Sequence, residues 1–184
     1  APFVAVNLAA THLCESSLAP LVVKSLADYD LPASMLEVEV TETVLLVNPE
    51  VSIRNATALA QAGVRIALDD FGIGYSSLSY LKRLPVSSLK IDRSFVRDLI
   101  TDASDAAIVT ATIAMAHMLD LKVVAEGVET EDQLDYLRER GCDEYQGYMH
   151  SVPLPADKFA ALLIGYSMST TGTDSRMADL LPMA

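Results

Sequence analysis

Residues 64–75 read VRIALDDFGIGY, an apolar run that ends in two adjacent carboxylates, Asp69 and Asp70. Val64, Ile66 and Leu68 have the β-branched and aliphatic character of a buried strand, and Gly63, Gly72 and Gly74 punctuate its two ends. The stretch reads as a strand that delivers two acids to a loop. Unit negative charges about 4 Å apart repel by about 4 kcal/mol at a surface-like effective dielectric. A divalent cation would offset that repulsion. On the dipeptide alone, Asp70 fits a turn or helix-capping acid equally well, so the rest of the chain has to decide.

Outward from this strand, strand and helix alternate. Before it, Phe3 to Leu8 reads as a strand, Ser16 to Asp28 as a helix and Met35 to Val40 as a strand, and a helix runs from Pro49 to a closing Gly63. After it come a short helix from Tyr75 to Arg83, a strand from Val86 to Ile91 and an Ala-rich helix from Ala103 to Leu119. Then follow a strand from Lys122 to Ala125, a helix from Thr130 to Arg140 and a short strand from Glu144 to Gly147. A last helix spans Ala156 to Tyr166, and residues 167–184, rich in Ser, Thr, Gly and Asp, read as a flexible tail. Such alternation implies parallel strands joined by right-handed crossovers. No G-x-G-x-x-G follows the first strand, which disfavours a dinucleotide fold.

Polar residues recur at the C-terminal ends of these strands: Asn7, Glu39, Asp69 with Asp70, Lys90, Glu126 and Gln146. In a (β/α)8 barrel those ends converge on one face and build the active site. The expected fold class is therefore α/β, of the TIM-like barrel kind.

The totals narrow the chemistry. The 184 residues suit one domain with a sizeable core, and the net charge of -12 with no basic run argues against a nucleic acid polymer as partner. Bound cations can still reverse the sign of a carboxylate-lined pocket and admit an anionic ligand. Cys14 and Cys142 lack metal-ligand spacing, and His12, His117 and His150 have no paired spacing. Ser76 and Ser77 have no histidine at a triad-like position, which disfavours a serine nucleophile. Met115, Met118 and Leu119 lie at helical spacing and are expected in the core. No run of about 18 apolar residues appears.

Six segments together resemble the EAL domain, the family of cyclic di-GMP phosphodiesterases. They are VAVNLAATHL at Val4 to Leu13, LEVEVTET at Leu36 to Thr43, ALDDFGIGYSSLSYLKRLPV at Ala67 to Val86, LKIDRSFV at Leu89 to Val96, VVAEGVET at Val123 to Thr130, and QGYMHSVPLP at Gln146 to Pro155. The resemblance implies an EAL domain over residues 1–166, with the barrel incomplete and entered at its third strand. It makes Asn7, Glu39 and Asp69 ligands of a first metal, with Asp69 bridging to a second that Asp70 helps to hold. Oxygen-only ligands of this kind suit two Mg2+ or Mn2+ ions. Such a pair would activate a shared water for attack on phosphorus. Lys90 would orient that water or offset transition-state charge, and Glu126 and Gln146 would organise metal and water. Glu42 would brace the loop Phe71 to Ser77, which in this family covers the metals and sits at the dimer contact. Glu129 is implied as a further loop support, although it also suits an N-terminal acid of the following helix.

The implied reaction is hydrolysis of cyclic di-GMP to linear pGpG. The implied setting is a cytoplasmic homodimer whose parent is compatible with an upstream diguanylate cyclase or sensor domain and with a membrane anchor. The alternative is a catalytically silent receptor for the same dinucleotide. Three departures stand out. No Glu-Ala-Leu occurs, Ile73 stands where the family usually has Thr, and Ser87 stands where an acid is usual. The 184-residue chain is accordingly expected to show little or no hydrolysis by itself.

Overall fold

A computed structural model of the chain describes residues 3–73, 81–169 and 181–182. The elements follow the alternation read from the sequence. They are β1 (Val4–Asn7), α1 (Ala10–Leu13), α2 (Leu18–Asp28), β2 (Leu36–Thr41), α3 (Glu42–Val47), α4 (Pro49–Gln61), β3 (Arg65–Phe71) and β4 (Ser88–Ile91). After these come α5 (Arg93–Arg97), α6 (Ala103–Met118), β5 (Lys122–Glu126), α7 (Glu131–Glu139), β6 (Glu144–Gln146) and α8 (Ala156–Ser169), then a two-residue strand Leu181–Pro182. Most of the helix expected from Tyr75 to Arg83 and most of the tail lie outside the described residues. No helix among the described residues is long and apolar enough to cross a membrane.

The chain divides into two compact units, Ala1–Asp92 with Ala114–Val123, and Arg93–Ile113 with Val124–Ala184. In the first, β1, β2, β3 and β4 pair in parallel in sequence order. Residues paired across parallel strands share a face, and neighbours along a strand alternate faces. One face of β2, β3 and β4 is therefore apolar, built from Val38, Val40, Ile66, Leu68 and Leu89, all buried. Helix α4 packs against β3 and against α2. It starts cleanly because the Asn48 side chain accepts from Val51 N–H at 3.4 Å and Pro49, which lacks an N–H, occupies the first turn. The buried amide of Asn55 reaches back from α4 and donates to the carbonyls of Leu13 (2.7 Å) and Glu15 (2.8 Å), fixing the chain that follows β1. The residues of β1 are exposed, Val4 and Val6 among them.

In the second unit β5 and β6 pair in parallel, with Ala125 opposite Tyr145 and Glu126 opposite Gln146. Helix α7 opens with a capping box, in which Thr130 Oγ1 accepts from Gln133 N–H and the Gln133 side chain accepts from Thr130 N–H. Gly147, at φ +157°, ends β6 where a Cβ would lie 2.2 Å from the carbonyl oxygen of Val128. Backbone contact that close leaves room only for hydrogen.

Met118 departs from the expected core position, being 79% exposed at the end of α6. That helix carries Ile108, Val109, Ile113, Met115 and Met118 with six alanines around its circumference, so its sequence does not mark one buried side.

Candidate metal centre

Six of the expected site residues, Asn7, Glu39, Glu42, Asp69, Asp70 and Lys90, belong to the first unit. The register sets Asn7 of β1 beside Glu39 of β2, and the amide N–H of Leu8 donates to the Glu39 carbonyl at 2.9 Å. Glu39 and Lys90 are both buried, and Lys90 Nζ donates to Glu39 Oε1 at 2.7 Å. The same ammonium stands 3.5 Å from Asp69 Oδ1.

Regular alternation would send Asp69 and Asp70 to opposite faces of β3. The structure avoids this with a β-bulge. Leu68 pairs with Leu89 and Phe71 pairs with Ile91, so the two acids on β3 lie opposite the single Lys90 on β4. Asp70 takes up the extra residue in a left-handed conformation, φ 55°, and its N–H donates to Asp69 Oδ1 at 3.0 Å. A bulge of this kind bends the strand and re-aims a side chain. Left-handed backbone is uncommon outside glycine, with Asp and Asn the best tolerated exceptions.

Sequence reading left Asp92 without a role. It follows β4, is buried, and hydrogen-bonds through its side chain to Asp70. Alternation in Lys90-Ile91-Asp92 carried the signal, since residues two apart in a strand share a face. Asp70 is held above the ordinary carboxylate pKa, first by desolvation, then by the charges of Asp69 and Asp92, with Lys90 opposing. Glu39 and Asp69 thus flank the Lys90 ammonium, Asp70 feels its charge, and Asp92 adds a fourth carboxylate beside Asp70. The donor set, all carboxylate oxygens with the Asn7 amide on the adjacent strand, matches what hard divalent cations take. The surplus negative charge gives a cation a reason to bind.

In the second unit the parallel register sets Glu126 beside Gln146, and Gln146 Nε2 donates to Glu126 Oε1 at 2.9 Å. The Glu129 side chain is exposed, while its backbone N–H donates to Gln133 Oε1 at 2.8 Å. Glu42 opens α3 as an acid in its first turn, and residues 74–77 of the loop it was expected to brace lie outside the described residues.

The sequence model of the EAL domain family matches residues 1–153. The chain belongs to the EAL domain family. The cyclic di-GMP phosphodiesterase NbdA of Pseudomonas aeruginosa is 48% identical over 163 residues, 89% of this chain and 21% of that protein. Among solved structures, the MucR phosphodiesterase of Pseudomonas aeruginosa in complex with cyclic di-GMP superposes with a TM-score of 0.81 at 45% identity, covering 85% of this chain and 64% of that one. Klebsiella pneumoniae BlrP1 in a manganese and cyclic di-GMP complex superposes with a TM-score of 0.74 at 33% identity, over 80% of this chain and 38% of that one. The chain spans about a fifth of the length of the curated relatives it matches. The expected fold class, an incomplete TIM-like (β/α)8 barrel of EAL type, is borne out by these matches, as is membership of a phosphodiesterase family.

Proposed function

We propose that this chain carries the metal-holding strands of a cyclic di-GMP phosphodiesterase that yields linear pGpG. The observation that supports the reading is the bulged Asp69-Asp70 pair opposite Lys90, with Glu39 bonded to the same ammonium. Asn7, Glu39, Asp69 and Asp70 hold two divalent ions, Mg2+ or Mn2+. When bound, these ions supply Lewis-acid activation of water and neutralise charge on the phosphodiester. Lys90 balances the buried carboxylates and places an ammonium where negative charge grows on the phosphoryl oxygens. Glu126, bonded to the Gln146 amide, is the second unit's acid for organising water, able to accept a hydrogen bond or proton from it. Glu42 and Glu129 support the loops beside them, and the setting is a cytoplasmic homodimer with residues 1–166 as the EAL domain and 167–184 as a tail.

Calorimetric titration of the chain with Mn2+, followed by chromatography of cyclic di-GMP and pGpG, tests this reading. We expect Mn2+ binding that Glu39→Gln and Asp69→Asn each abolish, with little or no hydrolysis by the 184-residue chain alone. Absence of Mn2+ binding, or binding indifferent to both substitutions, would remove the basis of the proposal. Brisk Mn2+-dependent turnover would overturn the expected inactivity of the isolated chain.

A further inference from the structure

We infer that Gln133 is a positioning residue for the segment Glu126–Glu129, acting through that segment's backbone. The inference rests on the proposed role of Glu126 and deepens it. A capping box asks one bond of its glutamine, from the N–H of the capping residue. Gln133 makes four. Its Oε1 accepts from Glu129 N–H (2.8 Å) and Thr130 N–H (3.1 Å), and its Nε2 donates to the carbonyls of Val96 (3.1 Å) and Arg97 (3.2 Å) at the end of α5. A primary amide offers two donors and, at its oxygen, two lone pairs, so every bonding site of this buried side chain is taken.

The four bonds tie the segment after β5 to a second helix. The intervening residues are held as tightly. Gly127, at φ +70°, lies so near α5 that a Cβ there would stand 2.7 Å from Arg93 Cβ. Val128 donates its N–H to the Gln146 carbonyl (3.1 Å) and accepts from Met149 N–H (2.9 Å). Glu129 exposes its side chain, yet its backbone amide is gripped by a buried one. Packing gives no reason to fix the backbone of an exposed acid in this way, whereas correct aim of Glu126 and Glu129 does. A glutamate at 133 would cap α7 equally well but could not donate to the carbonyls of α5, so the bridging half of the arrangement requires the amide.

Hydrogen–deuterium exchange and the NMR signals of the Gln146 side-chain amide in the full chain, wild type against Gln133→Glu, test the inference, with Leu134→Val as a control that loosens α7 from its buried side. Gln133→Glu keeps the capping half, so α7 should exchange as in wild type. The amides of Gly127, Val128 and Glu129 should exchange at least tenfold faster, and the Gln146 side-chain NH2 signals should move toward those of a solvent-exposed amide as the bond to Glu126 is lost. Leu134→Val should speed exchange along α7 and leave those signals unchanged. Wild-type Gln146 signals in Gln133→Glu, or an equal change in Leu134→Val at the same change in Tm, would overturn the positioning role. A wild-type chain that binds no Mn2+ would sink the proposed function instead, and the exchange of residues 127–129 with the Gln146 signals would still decide whether Gln133 aims the segment.

Discussion

Replacing Lys90 with methionine keeps the apolar stem and removes the ammonium from between two buried carboxylates. The ammonium lies 2.7 Å from Glu39 Oε1 and 3.5 Å from Asp69 Oδ1, on a side chain only 2% exposed. At an effective dielectric of about 20 those distances correspond to roughly 6 and 5 kcal/mol of gross attraction. Desolvation of the buried charges cancels most of that gain, but removing one partner leaves the others uncompensated and costs about 3–5 kcal/mol. In a chain of this size each kcal/mol moves Tm by about 2–4 °C, so Lys90→Met should melt roughly 6–20 °C lower in EDTA. Mn2+ should recover most of that loss, because the stranded carboxylates acquire another cation. The variant should also bind Mn2+ more tightly than wild type, since a cation competing for the same oxygens is gone. Scanning calorimetry in EDTA and across a Mn2+ series measures both effects. Equal Tm values in EDTA, or weaker Mn2+ binding by the variant, would refute this account of Lys90.

Asp70→Asn keeps a residue that tolerates the left-handed conformation and removes a charge facing Asp69 and Asp92, so it should raise metal-free stability at pH 7. Because the folded pKa of Asp70 is raised, the folded state binds its proton more tightly than the unfolded state, and wild-type stability falls as pH rises from 3.8 through the raised value. The advantage of Asp70→Asn in metal-free denaturant melts should therefore grow across that window and level off above it; a constant difference from pH 3 to 8 would contradict the shift. Asn55→Ala strips the donors from the buried carbonyl of Leu13 and the part-buried one of Glu15 and should cost about 2 kcal/mol in urea unfolding, and Asn55→Asp, unable to donate, should not rescue it. Gly147→Ala drives a Cβ to within 2.2 Å of the Val128 carbonyl oxygen and should destabilise by about 1–3 kcal/mol with loss of the Gln146–Glu126 bond, visible as faster exchange at Val128; wild-type stability would refute the close approach.

Much of this arrangement was legible in the residues because two periodicities carried it. Alternation in LEVEV and RIALDD separates the two faces of β2 and β3, and a polar residue near the end of each strand marks the side where Glu39 and Asp69 sit with Lys90. Local sequence conveyed less where no period is at work. The short helices α1, α3 and α5 span four, six and five residues, too few for a helical repeat to emerge. The all-round apolar surface of α6 concealed the exposure of Met118. Gln133 looked like one more polar residue in an acidic helix, since the carbonyls it reaches lie 36 and 37 positions away.

The bulge at Asp69-Asp70 was the least legible feature, because nothing in the pair of residues states that one of them will be left-handed. Its necessity can nevertheless be argued from the sheet. A regular strand offers one side chain per two residues to a given face, so adjacent acids cannot both serve a site on that face. An extra residue lifts the restriction. Deleting Asp70 should let Asp69 pair with Lys90 and Phe71 follow in regular register with Ile91, since Leu68 already pairs with Leu89. The deletion variant should thus stay folded, with a circular dichroism spectrum like that of wild type, and bind Mn2+ at least tenfold more weakly. Asp70→Ala, which retains the extra residue without its carboxylate, should lose affinity too, but without the relief of the left-handed backbone, and should melt below the deletion variant. If the deletion variant unfolds while Asp70→Ala remains intact, the bulge is required by the sheet itself and is not a local device for bringing two acids to one face.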